Sequence, residues 1–360
     1  MSPNASMDAL SPVRHEVGPP VLGLRWTKIV AKQENDKLPI ELATAAVGKR
    51  YIYVGSKGGT FYKLDAADGH EVWATPLGAT STQPTLYRGR LYIGTDDGYL
   101  VAVDAANGEE QWRYETQGAV LEPAVVSDDA VYFSTQANQV YALDRQSGKF
   151  RWQHSAEDPE NMTVAGHAGV AVAGDRVITG YANGTLVALS TETGAPLWMT
   201  SLAGDDPDAP LVDADATPVI IGDLVVAASV SGGVYGLDLQ TGLVRWRIPV
   251  KNAGRVAVHG DEIFFTAADI GVFAADLRGH VRWRQGTRGA GVAAPPVWAG
   301  GYLIYSLGDT GLFVADPRTG EVLEYFEPGF GISAQAAATA NRLYILSNTA
   351  TLYAFSLRHF

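Results

Sequence analysis

Apolar and polar residues alternate with period two through most of the chain, in short runs broken by Gly, Asn and Asp about every 8–12 residues, which predicts an all-β fold. The runs group into a recurring unit of four strands. In one copy they read TPVI, LVVAASV, VYGLDL and LVRWRIPV, joined by GD, SGG and QTG. The third strand ends in Asp, a turn closed by Gly follows, and the fourth strand carries Trp. The copies place that Trp at Trp73, Trp112, Trp152, Trp198, Trp246 and Trp283, and Glu324 takes the slot in the seventh. The steps between slots are 39, 40, 46, 48, 37 and 41 residues, the length of one four-stranded antiparallel blade.

Gly stands four residues before every slot, at Gly69, Gly108, Gly148, Gly194, Gly242, Gly279 and Gly320. Asp stands eight before it, except that Ser190 replaces it once and the sixth copy is a residue shorter. Turn chemistry accounts for both: the carboxylate caps the turn, and Gly takes the positive-φ position.

The two ends of the chain complement one another. GLRWTKIV (Gly23 to Val30) is a fourth strand, carrying Trp26, with no unit ahead of it. TLYAFSLRHF (Thr351 to Phe360) belongs to a unit whose fourth strand never arrives. Pairing them closes a ring of eight blades and hides the strand edges that an open array exposes. The expected organisation is a flexible segment over 1–22 and one eight-bladed β-propeller over 23–360.

Composition narrows the function. With 46% apolar and 18% charged residues the chain can build a large core, and no run of 18 apolar residues predicts a membrane-spanning helix. The first twenty residues lack the apolar centre of a signal peptide. A formal charge of −12 without any Lys/Arg cluster argues against a nucleic-acid partner. The absence of Cys excludes disulfides, thiolate metal sites and thiol nucleophiles. The seven histidines are scattered, without ligand spacing, and are expected on the surface or in turns. GDDPDAPLVDAD concentrates five carboxylates but lacks the ligand order of a calcium loop, so it reads as a solvated acidic loop. No nucleophile elbow or phosphate loop occurs. No enzyme activity, metal or cofactor is expected.

The two longest steps, 152 to 198 and 198 to 246, are consecutive, and their extra residues fall between the fourth strand of one blade and the first of the next. Insertions of this kind mark one face of a repeat protein. HSAEDPENMTVAGHAG and AGDDPDAPLVDADATP therefore lie side by side as an expected binding patch, with Asp213 and Asp215 as exposed loop residues.

The repeat resembles the tryptophan-docking motif of pyrroloquinoline-quinone dehydrogenases, which implies eight blades with tryptophans stacked between them. Those enzymes are much longer and typically carry an adjacent-cysteine disulfide, which this chain lacks. The whole of 23–360 is similar to the BamB family of propeller lipoproteins in the outer-membrane β-barrel assembly machinery. LSPVRHEVGPPVLGLRW resembles that family's leader into its first Trp, and LVDADATPVIIGDLV its Asp-x-Asp-x-Thr-Pro segment. The resemblance implies that Asp213 and Asp215 bind the periplasmic POTRA domains of BamA, with Met162 and Val164 as apolar contacts; Ala165 stands where the family has arginine. It also implies a non-enzymatic scaffold on the periplasmic face of the outer membrane that assists nascent outer-membrane proteins. A lipid anchor would lie upstream of this chain. The alternative is a generic quinoprotein-like propeller that senses or binds a ligand.

Overall fold

The computed structural model describes residues 13–16, 20–31, 40–156, 167–204, 212–268, 270–287 and 293–358. Eight antiparallel sheets follow one another round a ring, and in the first seven the four blade strands run in chain order from the innermost outward. The fifth blade is typical: Val219–Ile221, Leu224–Ser229, Gly233–Asp238 and Val244–Ile248 pair in order. The middle strands of the blades are almost wholly buried, because both faces of each pack on neighbouring blades.

The eighth blade is shared between the chain ends. Leu22–Ile29 pairs antiparallel with Thr351–Leu357 as its outermost strand. The segment expected to be flexible, 1–22, departs from that reading at its end, where Val21 and Leu22 are buried, and at one earlier place. Val13–Glu16 forms a strand and pairs with Val322–Glu327, adding a fifth strand to the seventh blade.

The fourth strand of every blade slips register by one residue just before its Trp slot, for example between Glu110 and Trp112. The bulge turns the indole toward the next blade. Opposite the indole, most blades carry Ala or Gly, as in Trp112 facing Ala102 and Trp246 facing Gly236. Trp26 then packs on Gly69, Trp73 on Gly108, and so on to Trp283 on Gly320. At Gly242 (φ 71°) an added Cβ would meet Trp198 at 2.5 Å, so that glycine is required twice over, by its backbone and by the indole. The turn Asp caps as expected: Asp238 Oδ1 accepts from the N–H groups of Gln240 and Thr241. Most indole N–H groups donate to the residue after that Asp; Trp152 reaches the Thr191 carbonyl at 2.9 Å and Trp246 the Leu277 carbonyl at 2.9 Å.

Two junctions depart from this scheme, each for a visible reason. Lys63 faces Trp73 where other blades place a small residue, and its buried Nζ donates to the Ala105 carbonyl at 2.8 Å. That carbonyl occupies the position the Trp73 N–H would use, and the Trp73 Nε1 has no partner among the described residues. The other departure is Glu324. The next blade is the one whose outer strand comes from the other end of the chain, so no Asp-to-Gly turn exists there for an indole to cover. Glu324 is 1% exposed, and its Oε2 accepts from the N–H groups of Val21 (2.5 Å) and Leu22 (3.1 Å) as the chain enters the closing strand. Glu324→Ala strips two backbone donors of a charged acceptor, with an expected cost of about 2–4 kcal/mol in urea unfolding. Glu324→Trp, which restores the repeat consensus, is expected to destabilise as well. A Trp variant more stable than the parent would refute this account of the seventh slot.

Candidate functional site

The connections between blades and the turns between second and third strands share one face of the ring. Met162, Val164 and Ala165 lie outside the described residues, as do Asp205, Asp206 and Asp208. The far ends of both long connections are described, and they run inward. His167 is 5% exposed and Asp213 fully buried. The expectation of exposed aspartates at this end of the loop is corrected, and so is the surface placement of His167. Segment 212–216 is threaded between two blades. Ala214 N–H donates to the Tyr181 carbonyl of the fourth blade, and Asp213 accepts through its backbone carbonyl from Val230 of the fifth. Gly180 makes room for it, since a Cβ there would sit 2.0 Å from the Ala214 carbonyl oxygen.

Asp215 lies within electrostatic reach of Asp213 on its own segment and of Arg255 and Glu122 on other blades. There the innermost segments of four consecutive blades meet. Arg255, on the first strand of the sixth blade, donates through Nη1 to Glu122 Oε1 of the third blade at 2.9 Å. Thr217 donates to Glu122 Oε2 at 3.1 Å, and its hydroxyl accepts from Gly169 N–H at 2.9 Å. Blades three places apart in a ring of eight reach each other only across the channel, so the ion pair spans it. Arg255 is surrounded by protein, yet 37% of its side chain remains accessible, while Glu122 is 16% accessible.

Two carboxylates, Glu122 and Asp215, act on the Arg255 guanidinium. Both carboxylate oxygens of Asp215 are enclosed without a hydrogen-bond partner among the described residues. Burial, reinforced by Asp213, pushes the Asp215 carboxyl up to about 7, against the opposing pull of Arg255. Burial lowers the pKa of His167, with Glu122 opposing. Among the described residues, neither ring nitrogen of His167 has a partner at hydrogen-bonding geometry, although the Ser134 backbone lies near. Among the described residues, no three His, Asp or Glu side chains converge as a metal site. Sequence reasoning selected Asp213 and Asp215 but passed over Glu122, His167, Thr217 and Arg255. The available signal was a pair of opposite charges at the innermost position of different blades, where other blades carry Gln83 or Gly169.

A family model described as "Outer membrane protein assembly factor BamB" matches residues 23–119 and 78–285, well over half of the chain. The chain belongs to the BamB family. Among curated relatives, the outer membrane protein assembly factor BamB of Burkholderia pseudomallei (strain K96243) is 29% identical over 188 residues. That alignment takes in 51% of this chain and 48% of the relative, so the match spans about half the length of each. The quinoprotein ethanol dehydrogenase of Pseudomonas aeruginosa is 29% identical over 92 residues, 25% of this chain but 15% of the enzyme, a stretch the size of two blades. Among solved structures, BamB from Moraxella catarrhalis superposes with a TM-score of 0.78 at 23% identity, covering 94% of this chain and all of that one. That likeness fixes the eight-bladed fold. The shared blades with quinoproteins follow from the docking repeat, whose Trp, Gly and Asp are used between blades here. Pyrroloquinoline quinone added with calcium is therefore expected to leave the melting temperature of this BamB-family protein unmoved, whereas a ligand of the native state raises it. A rise of several degrees at micromolar quinone would reinstate a cofactor site.

Proposed function

We propose that this protein is a non-enzymatic scaffold of outer-membrane β-barrel assembly, acting at the periplasmic face of the outer membrane. In this reading it holds the POTRA region of BamA and assists nascent outer-membrane proteins. The observation that carries the proposal is the family match over residues 23–285. The architecture supports it: the described ends of the two longest connections meet through Gly169 and Thr217, and 212–217 is bonded to both flanking blades and to Glu122. Met162 and Val164 supply the apolar anchor of this site, and the Asp213–Asp215 segment shapes its floor. Asp213 acts from inside the fold, because a buried carboxylate cannot reach a partner without leaving its place. Titrating the cognate BamA periplasmic region with Met162→Asp and Val164→Asp tests the reading. Charging a small apolar hot spot is expected to weaken binding about tenfold or more with an unchanged melting temperature. Wild-type affinity in both variants would sink the assignment of this face, and no binding by the parent would sink the partner.

A further inference from the structure

The Glu122–Arg255 pair has no part in blade docking, which the tryptophans and glycines of the repeat accomplish at seven of the eight junctions and Glu324 at the other. It also sits where a propeller needs no bridge, since neighbouring blades already close the ring. What it does touch is specific. Glu122 is the common acceptor of Arg255 and Thr217, and Thr217 in turn holds the backbone of Gly169. Gly169 and His167 end the first long connection; Asp215 and Thr217 end the second. Asp215 also lies within the electrostatic reach of Arg255, Glu122 and Asp213. The chain of bonds thus runs from the sixth blade across the channel to the third, and from there to the bases of both connections.

We propose that Glu122 and Arg255 are positioning residues, a strut across the channel that fixes the bases of the two long connections in the geometry a partner protein reads. This rests on the reading that the face they carry binds a partner. The strut does not contact the partner. It acts by holding Thr217 and Gly169 in register and by setting the charge that Asp215 meets. Losing either end leaves the other ion without its mate in a confined space, and the segment 212–217 then has to move or take up water. The groups that tune Asp215 are Asp213 on its own segment, Arg255 on the sixth blade and Glu122 on the third. His167, on the fourth, meets the same Glu122 and Arg255. A pH profile therefore reports on the strut in a way that loss of packing alone does not.

The experiment uses the full chain with Arg255→Met, Glu122→Gln and the charge-exchanged double variant Glu122→Arg/Arg255→Glu. Amide hydrogen exchange is followed at Gly169, Ala214 and Val230, whose N–H groups are bonded to Thr217, Tyr181 and Asp213. Both single variants are expected to speed exchange at these amides about tenfold or more, a local opening easier by roughly 1.4 kcal/mol or more, and to leave exchange in the first and eighth blades unchanged. The exchanged pair is expected to recover most of the protection. In Arg255→Met the pH at which these amides change protection moves upward, because Asp215 has lost its cation. Affinity for the cognate BamA periplasmic region is expected to fall several-fold in the single variants and to return in the double one. Unchanged exchange at all three amides overturns the strut. Faster exchange with parental affinity overturns its positioning role. Failure of the parent chain to bind overturns the partner assignment instead, with the exchange data still deciding whether the strut exists.

Discussion

A chain lacking residues 1–30 is expected to lose its cooperative thermal transition or to melt far below the parent. The reason is that Leu22–Ile29 does several jobs in the eighth blade at once. Its backbone ladder with Thr351–Leu357 covers the last strand edge, and without it that edge is open to other chains. Val21, Leu22 and Val30 are buried in the core that joins the seventh, eighth and first blades. Trp26 packs on Gly69, and its N–H donates to the Ala66 carbonyl, tying the eighth blade to the first. Truncating a packed aromatic of this size alone costs about 3–5 kcal/mol, against a typical net stability of about 5–15 kcal/mol. Glu324 would also be left buried with its backbone donors gone. Trp26→Ala in the full chain separates the indole from the strand and is expected to lower stability by the smaller amount. A synthetic peptide spanning 20–31 should raise the melting temperature of the truncated chain by binding its native form. Equal melting of truncated and full-length protein would defeat the shared-blade closure.

The repeat made most of this architecture legible, because the features that build a propeller recur at fixed offsets. Gly at the positive-φ turn, Asp at its cap and Trp beyond it are local in sequence, and local patterns survive without a structure. The one-residue bulge before each Trp left no trace except the small residue opposite, such as Ala102 or Ala142. Glu324 looked like a decayed copy of the motif. Its role depends on Val21 and Leu22, some 300 positions away, and nothing local announces that. Lys63 is similar: its partner carbonyls belong to the next blade.

At the candidate site the alternation of LVDADATP, read with its charge, pointed Asp213 and Asp215 outward, whereas Asp213 lies fully inside the fold. Period two says that Asp213 and Asp215 share a side, and charge suggests that the side is solvent. The opposite outcome holds because segment 212–216 is fixed from both flanking blades, through Tyr181 and Val230, and because Arg255 waits in the channel. Each of those partners is fixed by the closed ring rather than by proximity in sequence.

Replacing Asp215 with Asn is expected to stabilise the protein at neutral pH and to remove a specific pH dependence. The carboxyl titrates near 7 in the folded chain and near its ordinary 3.8 when unfolded. Between those values the folded protein binds the proton and the unfolded chain does not, so stability falls as pH rises from about 4 to about 7. The gap is about three pH units at about 1.4 kcal/mol each, so the expected loss by pH 7.5 is on the order of 4 kcal/mol. His167 works the other way. Its folded pKa is lowered, so its contribution is present at neutral pH and is lost as pH falls below about 6.5. The parent's own curve mixes the two slopes, and the difference between parent and Asp215→Asn isolates the carboxylate. Urea unfolding from pH 4.5 to 8 should show the variant gaining steadily on the parent as pH rises, with the two closest at the acid end. Arg255→Met in the parent background should steepen the parent's loss, because Asp215 then ionises with no cation beside it; in the Asp215→Asn background that extra slope should vanish. A stability difference between parent and Asn variant that does not change with pH would mean that Asp215 is ionised throughout and that its carboxylate has found a partner in the channel.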